Sequence, residues 1–236
     1  FFGLEYKSRQ CYILLAGHIM AYEHDYFKTR KYLHKKELVA RHLLEVLQWA
    51  SRTLNVNLLD GKGKRALDVG CAYGYTSHVL STLGYETIGF DISRHGTTQA
   101  KSHSDGEFMV CDTQVSLPFR SGSFDLVTCF DVLEHLKQPQ VALLGFFEAC
   151  KGIMVCTTPN KKVEKPIRKL MRDYDETHIS VKTSKEWRDL IIGSYSSKDL
   201  EVASFYDLAV RLGGKLFFKS FNVPTYGLTV RIAIRK

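Results

Sequence analysis

No apolar run in this 236-residue chain approaches the roughly 20 residues that carry a helix across a membrane. The nearest, CYILLAGHIMAY over residues 11–22, is shorter and is interrupted by His18. No A-x-A-like cleavage site follows it, which argues against a secretory signal. Met20 is a candidate alternative start, which would make residues 1–19 an unusual leader. The six cysteines include no C-x-x-C pair. Zinc-ligand spacing is therefore absent, and no metal is expected. The cysteines read as small hydrophobes in a reducing, cytoplasmic setting. There is no internal repeat and no low-complexity tract. A net charge of +8 permits an acidic partner without demonstrating one. KKVEKPIRKLMRDYDE, the densest basic stretch after strand five, balances six basic against four acidic side chains. That balance disfavours a nucleic-acid stripe.

What is present begins at Arg65-Ala-Leu-Asp-Val-Gly-Cys-Ala-Tyr-Gly74. An apolar strand runs into a turn with Gly70 and Gly74, and TSHVLSTLG then reads as a helix. Glycine lets a ligand approach bare backbone, and a helix start offers unpaired N–H groups. A side chain at Gly70 is expected to enter that ligand space. Asp91 closes a second apolar run, ETIGFDI, where a carboxylate can accept from two ribose hydroxyls. The dinucleotide pattern G-x-G-x-x-G is missing.

A long helix is expected over residues 26–53, followed by a linker over 55–64. Strands are expected near 65–69, 86–91, 107–112, 125–130, 152–157, 200–209 and 228–235. Helices are expected near 75–83, 95–103, 138–150 and 184–193. Such alternation predicts an α/β, Rossmann-like sheet of seven strands, mostly parallel and covered on both faces. Residues 211–227 contain no crossover helix, so the last strand should return antiparallel. Domain limits are placed at 1–60, an N-terminal helical extension or lid, and 61–236. Residues 160–185 are a candidate cap over an acceptor site.

In such sheets ligands bind at the carboxyl ends of the strands. Asp68, Asp91, Asp112 and Asp131 are expected there. Four acids would repel a pyrophosphate, which counts against a nicotinamide oxidoreductase. They suit a cofactor with an ammonium, a sulfonium, ribose hydroxyls and an adenine amine.

Two motifs carry a family resemblance. Asp68-x-Gly70-x-Ala72-x-Gly74 resembles the acid-x-Gly-x-Gly-x-Gly motif of class I S-adenosylmethionine (SAM) methyltransferases, with Ala72 at the middle glycine. CDTQVSLPFRSGSFDLVTCFDVLEHL over 111–136 is similar to a block of SAM methyltransferases of the ubiquinone-biosynthesis type. It matches at Leu117-Pro118-Phe119, at Ser123 to Val127 and at Val132 to Leu136. Thr158-Pro159-Asn160 and His178 ahead of TSKEW also resemble this group. The resemblance covers about residues 64–235.

It implies a turn under the methionine part of SAM, made by Gly70, Cys71, Ala72 and Gly74. Asp68 would orient the ammonium, with the Phe130 carbonyl facing the same end. Asp91 would hold the ribose and Ile92 would lie against the adenine. Asp112 would accept from the adenine amine, with Thr113 beside it. The activity implied is methyl transfer from SAM to a small organic acceptor, leaving S-adenosylhomocysteine. Lys, Arg, Tyr and His around residues 22–36 and 160–185 would suit an anionic acceptor. An RNA or protein methyltransferase is the enzymatic alternative, weakened by the lack of Asn-Pro-Pro-Tyr or Asp-Pro-Pro-Tyr after strand four. A non-catalytic SAM-binding protein is the other. His135 and His178 are the candidate bases for an oxygen acceptor. Each has a structural alternative: support of the helix after strand four for His135, and an exposed loop position for His178.

Overall fold

A computed structural model describes residues 24–114, 117–171, 175–194 and 196–236. The apolar segment 11–22, Cys11 and the domain limit at residue 1 lie outside the described residues. Eight strands form one sheet in the order β3-β2-β1-β4-β5-β8-β6-β7. They are β1 Arg65–Val69, β2 Glu86–Asp91, β3 Glu107–Val110, β4 Phe124–Phe130, β5 Cys150–Pro159, β6 Asp199–Leu212, β7 Lys215–Asn222 and β8 Thr229–Arg235. The first five pair in parallel. β8 inserts between β5 and β6, antiparallel to both. The antiparallel return is as expected, but the count is eight. The missed strand, β7, lies in the stretch assigned to a connection. It forms a hairpin with β6 through Gly213 and Gly214, with φ of 55° and 80°. Two successive left-handed residues suit a tight hairpin turn, and glycine adopts them without Cβ strain.

The helices are α1 His24–Thr29, α2 Lys36–Thr53, α3 Tyr75–Thr82, α4 Arg94–His103, α5 Pro139–Ala149, α6 Lys161–Met171 and α7 Ser184–Ser194. The single helix expected over 26–53 is broken. Lys31 takes a left-handed φ of 49°, and a 3-10 turn over Tyr32–Lys35 precedes α2. The break turns the Tyr32 ring toward the glycine turn while α2 continues along the sheet. α2 keeps its apolar stripe, burying Leu43, Val46, Leu47 and Trp49. These pack with Leu80 of α3 and Phe205 of β6 in one core layer. The other layer joins Phe146 of α5, Trp187 of α7 and the opposite sides of β1, β2 and β4. α7 starts with a reciprocal cap: Glu186 N–H donates to Thr183 Oγ1 and Thr183 N–H donates to Glu186 Oε2. Among the described residues no helix is long and apolar enough to cross a membrane, and the five described cysteines are buried and unpaired by disulfides.

Candidate active site

β1 delivers the chain into its turn with three left-handed residues: Gly70 at φ 70°, Ala72 at 47° and Gly74 at 72°. Ala72 therefore holds a conformation that costs an L-residue about 1 kcal/mol or more. The position calls for glycine and receives the smallest substitute. Gly70 and Cys71 N–H groups donate to the Phe90 carbonyl, tying the turn to β2. A Cβ on Gly70 would lie 2.2 Å from Val132 Cγ2. A side chain at Gly70 would thus crowd the loop after β4. A Cβ on Gly74 would come within 2.9 Å of Ala100 Cβ, so this glycine lets α4 approach the turn.

Asp91 ends β2, and both of its oxygens accept from backbone. Oδ2 takes the Ala72 N–H at 2.9 Å and Oδ1 the Ser93 N–H at 2.8 Å. The carboxylate thus supports the strained Ala72 peptide, a role the sequence did not suggest. Asp68 lies inside β1 rather than at its end. It is buried, accepting from Ser77 Oγ at 2.6 Å and from Thr128 Oγ1 at 3.2 Å. Burial pushes its carboxyl up to about 7 against the pull of those two hydrogen bonds. Asp112 lies two residues past the end of β3, and its Oδ1 accepts from the Gln114 N–H at 2.8 Å. Ile92, Thr113 and Phe130 are half-buried at the ends of β2, β3 and β4.

Tyr32 was missed by the sequence reading. Its phenol is pushed well up by burial and further by the charges of Asp91, Asp68 and Asp131. The ring stacks on Tyr75 at 5.7 Å and packs against Phe27 and Tyr73. The signal was the aromatic density of YEHDYFKTRKY, which periodicity absorbed into one helix.

The loop after β4 holds a second cluster within the electrostatic reach of Asp131. Glu134 is fully buried; Oε2 accepts from Thr158 Oγ1 at 3.2 Å, and Oε1 has no hydrogen-bond partner. Burial, reinforced by Asp131, pushes its carboxyl well up. His135 Nδ1 lies 3.2 Å from the Thr177 carbonyl. A carbonyl only accepts, so Nδ1 carries the proton and Nε2 is left as the basic nitrogen. Burial, then His178, lowers His135 to about 4. His178 is not an exposed loop residue. Its Nδ1 faces Glu164 Oε1 at 2.5 Å and its Nε2 faces Asp175 Oδ2 at 3.4 Å. Burial opposes the Asp175 charge, but Thr177 and His178 outweigh it and hold that carboxyl below its usual range. Arg30 also pairs with Asp175, linking the N-terminal segment to this cap. Glu134, His135 and His178 each present one ligand atom within 4.8 Å of the others, a set able to hold a cation. Linear spacing could not reveal it, because His178 comes from a segment far along the chain from the adjacent Glu134 and His135.

A doubly covered sheet with this strand order, a glycine turn after β1 and acids gathered at the strand ends define a class I SAM-dependent methyltransferase. The family described as a methyltransferase domain matches residues 36–191, and the chain belongs to it. It is 28% identical over 163 residues to a ubiquinone biosynthesis O-methyltransferase of Marinobacter nauticus, covering 64% of this chain and 68% of that one. A protein of the same description from Burkholderia vietnamiensis is 34% identical over 97 residues, covering 39% of this chain and 40% of its own length. Among solved structures, a SAM-dependent methyltransferase from Archaeoglobus fulgidus aligns with a TM-score of 0.64 at 17% identity, covering 87% and 99% of the two chains. The magnesium protoporphyrin IX methyltransferase of Synechocystis with bound S-adenosylhomocysteine aligns at 0.58 and 16% identity, covering 90% and 97%.

Proposed function

We propose that this chain transfers the methyl group of SAM to an oxygen of a small organic acceptor. The observation that carries the reading is the buried Asp68 of β1 beside the left-handed Gly70-Ala72-Gly74 turn, with Asp91 of β2 holding the Ala72 N–H of that turn. A region so acidic, with one carboxyl forced toward neutrality, is completed by a cationic ligand. The oxygen acceptor is favoured by His135, whose Nδ1 proton is held by the Thr177 carbonyl so that Nε2 is its basic nitrogen, and by the names of the curated relatives.

Residue roles follow the family motif. Gly70, Cys71, Ala72 and Gly74 cradle the amino-acid end, with Asp68 and the Phe130 carbonyl toward its ammonium. Asp91 accepts from the ribose while still holding the Ala72 peptide. Ile92, Asp112 and Thr113 receive the adenine. Tyr32 covers the cradle, as part of an N-terminal lid whose described residues are 24–60. The segment 160–185, through His178 and Asp175, caps the acceptor side.

SAM supplies a methyl already activated by its sulfonium. With SAM held there, the acceptor oxygen would form the new C–O bond as the S–C bond broke and its electron pair stayed on sulfur. The acceptor proton passes to His135 Nε2. The protein must hold the oxygen in line, about 3–3.5 Å from the methyl, and keep water out. Calorimetry with SAM and S-adenosylhomocysteine, followed by a radiolabelled-methyl screen of phenols, catechols and amines, tests this. Tight binding with transfer to phenolic oxygen is expected. Binding without transfer to any acceptor would favour a SAM-binding protein, and transfer to RNA or protein would replace the acceptor class.

A further inference from the structure

We propose that the outward face of the β6–β7 hairpin docks onto an anionic lipid surface. The inference is independent of the methyl-transfer reading. The hairpin register sets Tyr206 opposite Phe221 and Val210 opposite Phe217, with Leu208 and Leu212 opposite Lys219 and Lys215. Directly opposed residues share a face of the sheet. All six apolar members of this face are exposed, from 38% at Val210 to 64% at Leu212. The other face is occupied by the protein. Phe218 packs against His42 of α2, Arg211 pairs with Glu37, and Asp207 pairs with Arg231. Asp207, the only acid between 206 and 221, therefore points inward.

Large apolar side chains on an exposed edge hairpin mark an interaction surface. Its charge selects the occupant. The two lysines are the charged members of the face, and no carboxylate answers them there. A second copy across a two-fold axis would set this surface against itself with no carboxylate to pair the lysines. Lysines on the edge strand also discourage strand-to-strand pairing. A lipid surface with anionic headgroups meets both needs: the aromatic and aliphatic groups enter the interface and the ammoniums pair with phosphates. Lys219 already lies 5.8 Å from the Phe221 ring centre, with its charge beside the ring that would enter.

Cosedimentation of the full chain with vesicles of phosphatidylcholine, with and without about one-third phosphatidylglycerol, tests this. Binding is expected only to the anionic vesicles and should weaken with salt. Lys215→Gln/Lys219→Gln should lower the partition coefficient by roughly fivefold per lysine. Phe217→Ser/Leu212→Ser should lower it further, with thermal unfolding and SAM affinity monitored to show that both variants are folded. Three results would overturn the proposal: no binding by the parent, equal binding by folded hairpin variants, or a parent dimer in sedimentation that the hairpin variants abolish.

Discussion

The His178 ring stands edge-on to that of His135, with ring centres 4.7 Å apart and planes at 84°. The two histidines are not equivalent. Each nitrogen of His178 faces a carboxylate, so neither is presented to a substrate. His135 spends Nδ1 on a carbonyl and keeps Nε2. His135→Ala should then lose about 10²-fold or more in rate at unchanged SAM affinity. His178→Ala should lose less rate but more thermal stability, since it unfastens Glu164 from Asp175. Equal rate losses at equal stability would refute this division of roles.

The pH profile follows from the same burial. With His135 near 4, the acceptor for the proton is already free at neutral pH. The rate should be flat from about pH 5 to 8 and fall only as His135 protonates. An inflection near 6.5 would point to another base. Stability has a related signature. A histidine held below its unfolded value binds protons less readily when folded, so it costs stability as pH falls from 6.5 toward 4. The full cost is about 3 kcal/mol, reached below pH 4. Urea titrations of the parent and His135→Gln should converge in this window.

Chelation separates the two uses of the Glu134–His135–His178 group. If the histidine handles a proton alone, the rate should be unchanged by a chelator. A rate lost on chelation and restored by one divalent ion would make the group a cation site instead, consistent with its spacing.

The sequence made the sheet legible because local signals and tertiary demands agree there. β1, β2 and β4 are short apolar runs ending in glycine or acid, and a doubly covered sheet requires that pattern. Asp68, Gly70, Asp91 and His135 stood out as candidates because each lies in or at the end of a short contiguous run. β7 was not, because half of its face is exposed and its apolar residues are not explained by the core. Gly213-Gly214 between two β-prone runs was the available hairpin signal. The break at Lys31 was hidden because the α2 stripe continues the periodicity across it. Tyr32, Glu164 and Asp175 have meaning only through partners far away in the chain. No spacing rule reports that Asp175 meets both His178 and Arg30.

Ala72 offers a stability test. It carries a Cβ at φ 47°, where glycine is unstrained. Ala72→Gly should stabilise the protein by about 1 kcal/mol, less the extra entropy that glycine loses on folding. Chemical denaturation without ligand reads it. A destabilised variant would mean that the 8%-exposed methyl contributes more in packing against Phe27 and Tyr73 than the backbone conformation costs.

Asp68 and Asp91 should respond differently to the cofactor. Asp68 sits near 7 because burial penalises its charge. For an acid raised in this way, stability is fully present below the unfolded value near 3.9 and is lost as pH rises toward 7. An ammonium brought beside it reverses the penalty. SAM binding at pH 6 should therefore release close to one proton, and affinity should rise with pH and level off above about 7. Calorimetry in buffers of different ionisation enthalpy counts that proton, and Asp68→Asn should abolish the release. Asp91→Ala should show no such linkage. It should weaken SAM by about 1.5–3 kcal/mol through the lost ribose bonds. It should also lower the stability of the ligand-free protein, because the Ala72 and Ser93 N–H groups lose their acceptor. Reduced affinity with undiminished ligand-free stability would show that the turn holds itself. Reduced stability with undiminished affinity would remove Asp91 from the cofactor site and leave it a turn support alone.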